Sequence, residues 1–107
     1  MLTLSPTIRI YLCTRPADFR CGMDGLASLA RERVDEDPLS GHLFVFRNRR
    51  GDRLKVLYWD RNGWALWYKR LERGRFGLPS AAGGESRTLS PGAFQLLLGG
   101  VMRASAF

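Results

Sequence analysis

HLFVFR-NRRGD-RLKVLYW-DRNG-WALWYKRL, residues 42–71, is the stretch that decides the fold. Three runs within it, His42–Arg47, Arg53–Trp59 and Trp64–Leu71, are rich in β-branched and aromatic residues, as strands are. Asn48–Asp52 and Asp60–Gly63 between them are turn formers, and Asn62-Gly63 supplies the positive φ angles of a tight hairpin. The stretch predicts an antiparallel meander of three strands.

Upstream, Ile8–Leu12 reads as a strand that Thr14-Arg15-Pro16 ends, since proline cannot continue a ladder. From Gly22 to Val34 the residues Met23, Leu26, Ala27, Leu29, Ala30 and Val34 recur at helical spacing. Asp24 near its start suits the helix dipole, and Asp37–Gly41 is a loop. Downstream, the turn Glu72-Arg73-Gly74 leads to a short strand at Arg75–Leu78, followed by a flexible loop at 79–86. Ser90-Pro91 reads as N-cap and first position of a short helix through Phe94, Leu97 and Leu98. Gly99-Gly100 stops that helix, leaving 101–107 as a tail. The expected fold is α+β: a small antiparallel β-meander sheet with one helix before it and a short helix after it. At 107 residues the chain is expected to form one domain, 1–107.

Strand parity assigns the two faces. Pairing Arg47 with Arg53 and Trp59 with Trp64 places Phe44, Phe46, Leu54, Val56, Tyr58, Ala65, Trp67 and Leu71 on one apolar face, against the first helix. The other face then carries Arg47, Arg53, Lys55, Tyr68 and Arg70, and farther along Leu57, Trp59, Trp64 and Leu66.

The chain has 17 Lys and Arg against 10 Asp and Glu, a formal charge of +7. Arg47, Arg49, Arg50, Arg53, Lys55, Arg61, Lys69, Arg70, Arg73 and Arg75 face only Asp52, Asp60 and Glu72 within residues 47–75. That segment therefore holds the whole excess, and the rest is neutral. A meander brings the 48–52 loop and the end of its third strand to one edge. Like charges opposite each other destabilise a strand pair, so a polyanion is the expected counter-charge; arginine grips phosphate bidentately. Tyr68 among these cations can stack on a base. The competing reading is a solvated rim neutralised by Asp52, Glu72, Glu85 or the run 35–37.

Other chemistry finds little support. His42 is the single histidine and stands at a strand start. Cys13, Cys21 and His42 are too few for a closed zinc site, so no metal or other cofactor is expected. Asp18 and Asp24 serve as turn and helix-start residues better than as a metal-binding carboxylate pair. No glycine lies in a phosphate-loop context. No stretch approaches the roughly 20 apolar residues of a membrane span, and Met1–Pro6 lacks the features of a signal peptide. The expectation is a cytoplasmic protein that is not an enzyme.

Pro16-Ala17-Asp18-Phe19-Arg20, Gly22–Leu26, Asp37-Pro38 and Ser40–Phe46 set a pattern that continues through Arg49–Arg53, Lys55, Leu57, Trp59-Asp60 and Gly63. With the run Trp67–Phe76, it resembles the accessory proteins of the insertion-sequence-66 family, products of the second open reading frame (TnpB type). Cys21 and Leu78 stand where that pattern has lysine and tryptophan. The resemblance implies a non-enzymatic accessory role in transposition beside a separate transposase. In that setting the expected DNA-binding residues are Arg47, Arg49, Arg50, Arg53, Lys55, Lys69, Arg70, Arg73, Arg75 and Tyr68, contacting element ends. The alternative is a protein-interaction module that binds the transposase through Trp59, Trp64 and Leu66 without touching DNA.

Overall fold

The computed structural model describes residues 7–34, 36–77 and 84–100. The strands are β1 (Ile10–Cys13), β2 (Leu43–Arg47), β3 (Arg53–Asp60), β4 (Gly63–Arg70) and β5 (Ser86–Leu89). Helix α1 (Met23–Arg33) lies between β1 and β2, and α2 (Pro91–Leu98) follows β5. The strands form one sheet in the order β4-β3-β2-β1-β5. The expected meander is its β2–β4 half. The sheet is mixed, because β1 pairs with β2 in parallel, Ile10 beside Leu43, and with β5 antiparallel. A parallel pair needs a long crossover, and α1 supplies it.

One helix covers each face, which explains the continuous apolar runs in β1 and β2. On the first face Leu26, Ala27, Ala30 and Val34, from α1 and its C-terminal end, pack with Tyr11, Cys13, Phe44, Phe46 and Leu57. On the second, Phe94, Leu97 and Leu98 of α2 pack with Ile10, Leu12, Leu43, Val45, Leu54, Val56 and Phe76. Met23, expected on the packed side of the first helix, is 40% exposed.

This arrangement corrects the face assignment. Arg47 pairs with Leu54 and Phe46 with Lys55, one residue away from the expected register. Phe44 and Phe46 therefore share the α1 face with Leu57, while Leu54, Val56, Tyr58, Trp67 and Leu71 belong to the α2 side. Apolar periodicity could not choose, because both parities of β2 are apolar and a one-residue slip exchanges them. The Asn48 side chain sets the register locally: its Oδ1 accepts from the backbone N–H of both Gly51 and Arg53, each at 3.0 Å. The Asn48 N–H in turn donates to the Arg53 carbonyl at 3.2 Å. The β3–β4 register, with Trp59 opposite Trp64, is the expected one. Its turn differs, because the left-handed conformation falls on Arg61 (φ +54°) rather than on Asn62-Gly63.

Two further elements depart from expectation. Residues 75–77 carry no strand, and Leu78 lies outside the described residues. Ser86, expected at the end of a loop, begins β5, while 79–83 of that loop and the 101–107 tail lie outside the described residues. The second helix starts as expected: the Ser90 hydroxyl accepts from the Ala93 N–H at 3.1 Å, with Pro91 in the first turn.

Candidate nucleic-acid interface

The Asn48 turn determines what the basic end presents. The Gly51 N–H donates to the Asn48 carbonyl at 3.1 Å, so Arg49 and Arg50 occupy the central turn positions and project into solvent without strand neighbours. Gly51, at φ +81°, completes the turn in a conformation that side chains disfavour. The Gly51 carbonyl then accepts from Phe76 N–H and the Asp52 carbonyl from Leu71 N–H, each at 2.8 Å. Those bonds return the 71–76 excursion, with exposed Arg73 and Arg75, to the same end of the sheet.

A second segment faces this turn. After β1, the Ala17 N–H donates to the Arg47 carbonyl at 2.9 Å and carries Pro16–Arg20 alongside β2. Asp18 folds the segment on itself, accepting from Arg20 N–H at 2.9 Å and pairing with the Arg20 guanidinium at 2.7 Å. That guanidinium holds the Asp18 carboxyl at about 2, well below the usual carboxylate range. Between this segment and the turn lies a cavity of about 460 Å³, lined by Asp18, Phe19, Arg20, Asn48, Arg49, Arg50, Arg53 and Tyr68, with Pro16 and Ala17.

Lys55 joins the two walls. It is 7% exposed, its Nζ donates to the Phe19 carbonyl at 3.2 Å, and the ammonium sits 4.7 Å from the Phe19 ring and 5.3 Å from the Tyr68 ring. Such cation–π contacts strengthen with desolvation. The two rings meet edge to face, 6.2 Å apart. Arg53, directly opposite Arg70, donates from Nη1 to the Tyr68 hydroxyl at 3.2 Å.

The structure thus divides the basic residues named from sequence. Arg49, Arg50, Arg53 and Tyr68 meet in the cavity, with Lys55 beneath the rings. Arg70 is exposed at the same edge, 4.0 Å from Glu72, a surface pair of little energy. Arg47 and Lys69 share the register positions of Leu54 and so point to the α2 side. Arg47 donates to the Phe76 carbonyl at 3.3 Å, and burial, then Arg75, lower its pKa. Lys69 donates to the Leu98 carbonyl at 2.7 Å, satisfying the C-terminal end of α2. Among the described residues, the ion pairs within 4 Å leave Arg47, Arg49, Arg50, Arg53, Arg73 and Arg75 without a carboxylate. The Asn48 amide holds Asp52 at 2.7 Å and lowers its pKa, with Arg50 and Arg53 adding to the attraction without an ion pair within 4 Å, while Glu85 pairs with Arg15.

The wall formed by 16–20 was not among the residues expected at the site. Its signal in the sequence is slight: an aromatic residue, Phe19, set between Asp18 and Arg20 in a proline-led loop. Trp59, Trp64 and Leu66 lie at the far end of the α1 face, half-buried, with the two indoles edge to face at 5.2 Å. Both cysteines are free thiols: Cys13 is buried, which pushes its thiol up to about 12, and Cys21 is half-buried. No described helix is long and apolar enough to cross a membrane.

The model of the IS66 Orf2 like protein family matches residues 8–106. Two curated proteins of Sinorhizobium fredii are similar along nearly the same span. The uncharacterized protein y4hO is 44% identical over 101 residues, 94% of this chain and 87% of its own. The uncharacterized protein y4jC is 43% identical over 101 residues, 94% and 86% of the two chains. No solved structure matches.

Proposed function

Because the chain belongs to the IS66 Orf2 like protein family, whose setting is an accessory role in transposition, we propose that it contacts the DNA backbone with the basic end of its sheet while a separate transposase performs the chemistry. One observation carries this reading: Arg49, Arg50 and Arg53 converge on one cavity with no carboxylate paired to them within 4 Å. Unpaired guanidinium groups held close together repel each other, and phosphate relieves that repulsion while accepting bidentate hydrogen bonds. Arg20, across the cavity, is tied to Asp18 and contributes less net charge. Arg73, Arg75 and Arg70 extend the same basic end along the surface.

Lys55, Arg47 and Lys69 have other work in this reading: they hold Phe19, Phe76 and the end of α2, respectively. The alternative, transposase binding through Trp59, Trp64 and Leu66 with no DNA contact, has less surface available, since all three are half-buried.

Fluorescence anisotropy with a duplex carrying an element end, measured over a range of salt, tests the proposal. Each phosphate neutralised contributes about −0.9 to the slope of log K against log salt. Replacing Arg49, Arg50 and Arg53 together by alanine is expected to weaken binding and make the slope shallower by about 2.7. Arg61→Ala, at the opposite end, is expected to leave it nearly unchanged. A slope that the triple variant does not alter sinks the proposal.

A further inference from the structure

A duplex presents its phosphates on a convex surface and keeps its bases stacked inside. Exposed cations on a ridge would suffice for such a ligand. The basic end of this sheet has more: a concavity of about 460 Å³, within the roughly 300–1,000 Å³ range of clefts that enclose small groups. Its contents are also unlike a simple phosphate clamp, because Phe19 and Tyr68 line it together with the arginines.

Tyr68 is the informative residue. It stands on β4 opposite Lys55, on the face that α1 covers elsewhere, yet 47% of it is exposed. Three contacts hold its ring in place: Lys55 Nζ at 5.3 Å, the Phe19 ring edge to face at 6.2 Å, and the Arg53 guanidinium on its hydroxyl at 3.2 Å. An exposed tyrosine fixed this firmly loses little rotamer freedom when a planar group settles on it. Bases free of pairing offer such planar groups, and stacking on an aromatic side chain beside a cationic groove is the general mode of single-strand recognition. Arg49 and Arg50, on the turn at the rim, stand where the flanking phosphates of that nucleotide would pass.

We propose that the cleft receives an unpaired nucleotide of single-stranded DNA, its base against Tyr68 and its phosphate among Arg49, Arg50 and Arg53. This rests on the DNA-contact reading above and deepens it: the preferred ligand is a strand end or an opened segment, not closed duplex. The stacking site and the phosphate site share Arg53, which links them through the Tyr68 hydroxyl.

The test uses the full chain and two labelled probes at matched salt, an oligothymidylate of about twelve nucleotides, within the usual single-strand site range, and a duplex of equal length. The oligothymidylate is expected to bind about tenfold more tightly. Tyr68→Ala is expected to remove most of that preference, reducing strand affinity about tenfold while duplex affinity stays within about twofold, as loss of one stacked base implies. Tyr68→Phe keeps the ring and is expected to retain most of the preference, which separates stacking from a folding defect; thermal melts of both variants accompany the titrations. Duplex bound as tightly as the strand, or Tyr68→Ala weakening both probes equally, overturns this inference and leaves backbone contact standing. Failure of the parent protein to bind either probe overturns both.

Discussion

The two ends of the β3–β4 hairpin are built on the same face of one sheet and end in opposite chemistry. At one end Arg53 faces Arg70; six residues along each strand, roughly 20 Å away at the usual rise, Trp59 faces Trp64. α1 packs between them on Phe44, Phe46 and Leu57. The tryptophan end satisfies itself: its indoles meet edge to face, and its nearby Arg61 lies 3.9 Å from Asp60. The arginine end does not. Arg20 and Arg70 there have Asp18 and Glu72 beside them, but Arg53 and Lys55 are held by a tyrosine hydroxyl, a backbone carbonyl and ring faces, none of which carries a negative charge. The tryptophan end thus closes on itself, while the arginine end keeps Arg49, Arg50 and Arg53 outside any ion pair within 4 Å among the described residues.

Removing the support common to both ends gives the largest effect. Leu57 is fully buried and pairs with Phe44 on one side and Leu66 on the other. Leu57→Ala is expected to cost about 3.5 kcal/mol, the middle of the range for a buried leucine, read as a lower denaturant midpoint. If both ends rest on this one core, tryptophan emission and the Phe19–Tyr68 ring-current shifts change in the same transition. Separate transitions would show the arginine end to be an independent unit.

The turns sharpen the contrast, since the two ends handle left-handed backbone differently. At the arginine end Gly51 takes φ +81°, and an added Cβ would meet Arg47 Nη1 and Arg75 Cβ at 3.5 Å, ordinary contact. Gly51→Ala therefore loses stability through conformation rather than collision, about 1–2 kcal/mol, lowering the melting temperature by about 4–8 °C per kcal/mol. At the tryptophan end the same region is occupied by Arg61, at φ +54°. Arg61→Gly removes that strain, and the greater freedom of glycine in the unfolded chain offsets part of the gain. The expected result is a gain below about 1 kcal/mol; a loss would mean the Arg61 side chain supports the hairpin in some way its contact with Asp60 does not reveal.

How far these features could be read in the sequence depended on whether they are local. The three meander strands and both helices were legible, because β-branched runs, helical spacing and Ser90-Pro91 act within a few residues. The β2–β3 register was not, since Leu43, Phe44, Val45 and Phe46 offer apolar side chains to both faces, and the decision rests with the Asn48 side chain. Nor was β5 legible: of Ser86, Arg87, Thr88 and Leu89 only the last is buried, and its strand character comes from pairing with β1. At the candidate site, Arg49 and Arg50 were visible from charge alone. Lys55 read as one more surface cation but lies between two rings, and Phe19 reaches the site only because Ala17 hydrogen-bonds to Arg47, thirty residues later in the chain.

The smallest expected effect concerns the one carboxylate in the arginine end's outer wall. Asp18 is exposed and bonded to Arg20, with Arg49 adding to the attraction, and its pKa falls from the ordinary 3.8 to about 2. A carboxyl whose pKa is lowered by folding adds stability that is fully present above its unfolded value and disappears as pH falls through the folded one. The order that Asp18 gives to residues 16–20 is thus complete at neutral pH and fades between about pH 4 and pH 2. Carboxyl-carbon NMR is expected to find a midpoint near 2, and a midpoint at the ordinary value would mean the pair with Arg20 does not persist in solution. Asp18→Asn tests the same contact from the other side, freeing Arg20 and raising the local charge by one. If the arginine end waits for an anion, that variant binds a polyanion slightly more tightly at low salt, and the gain shrinks as salt screens it.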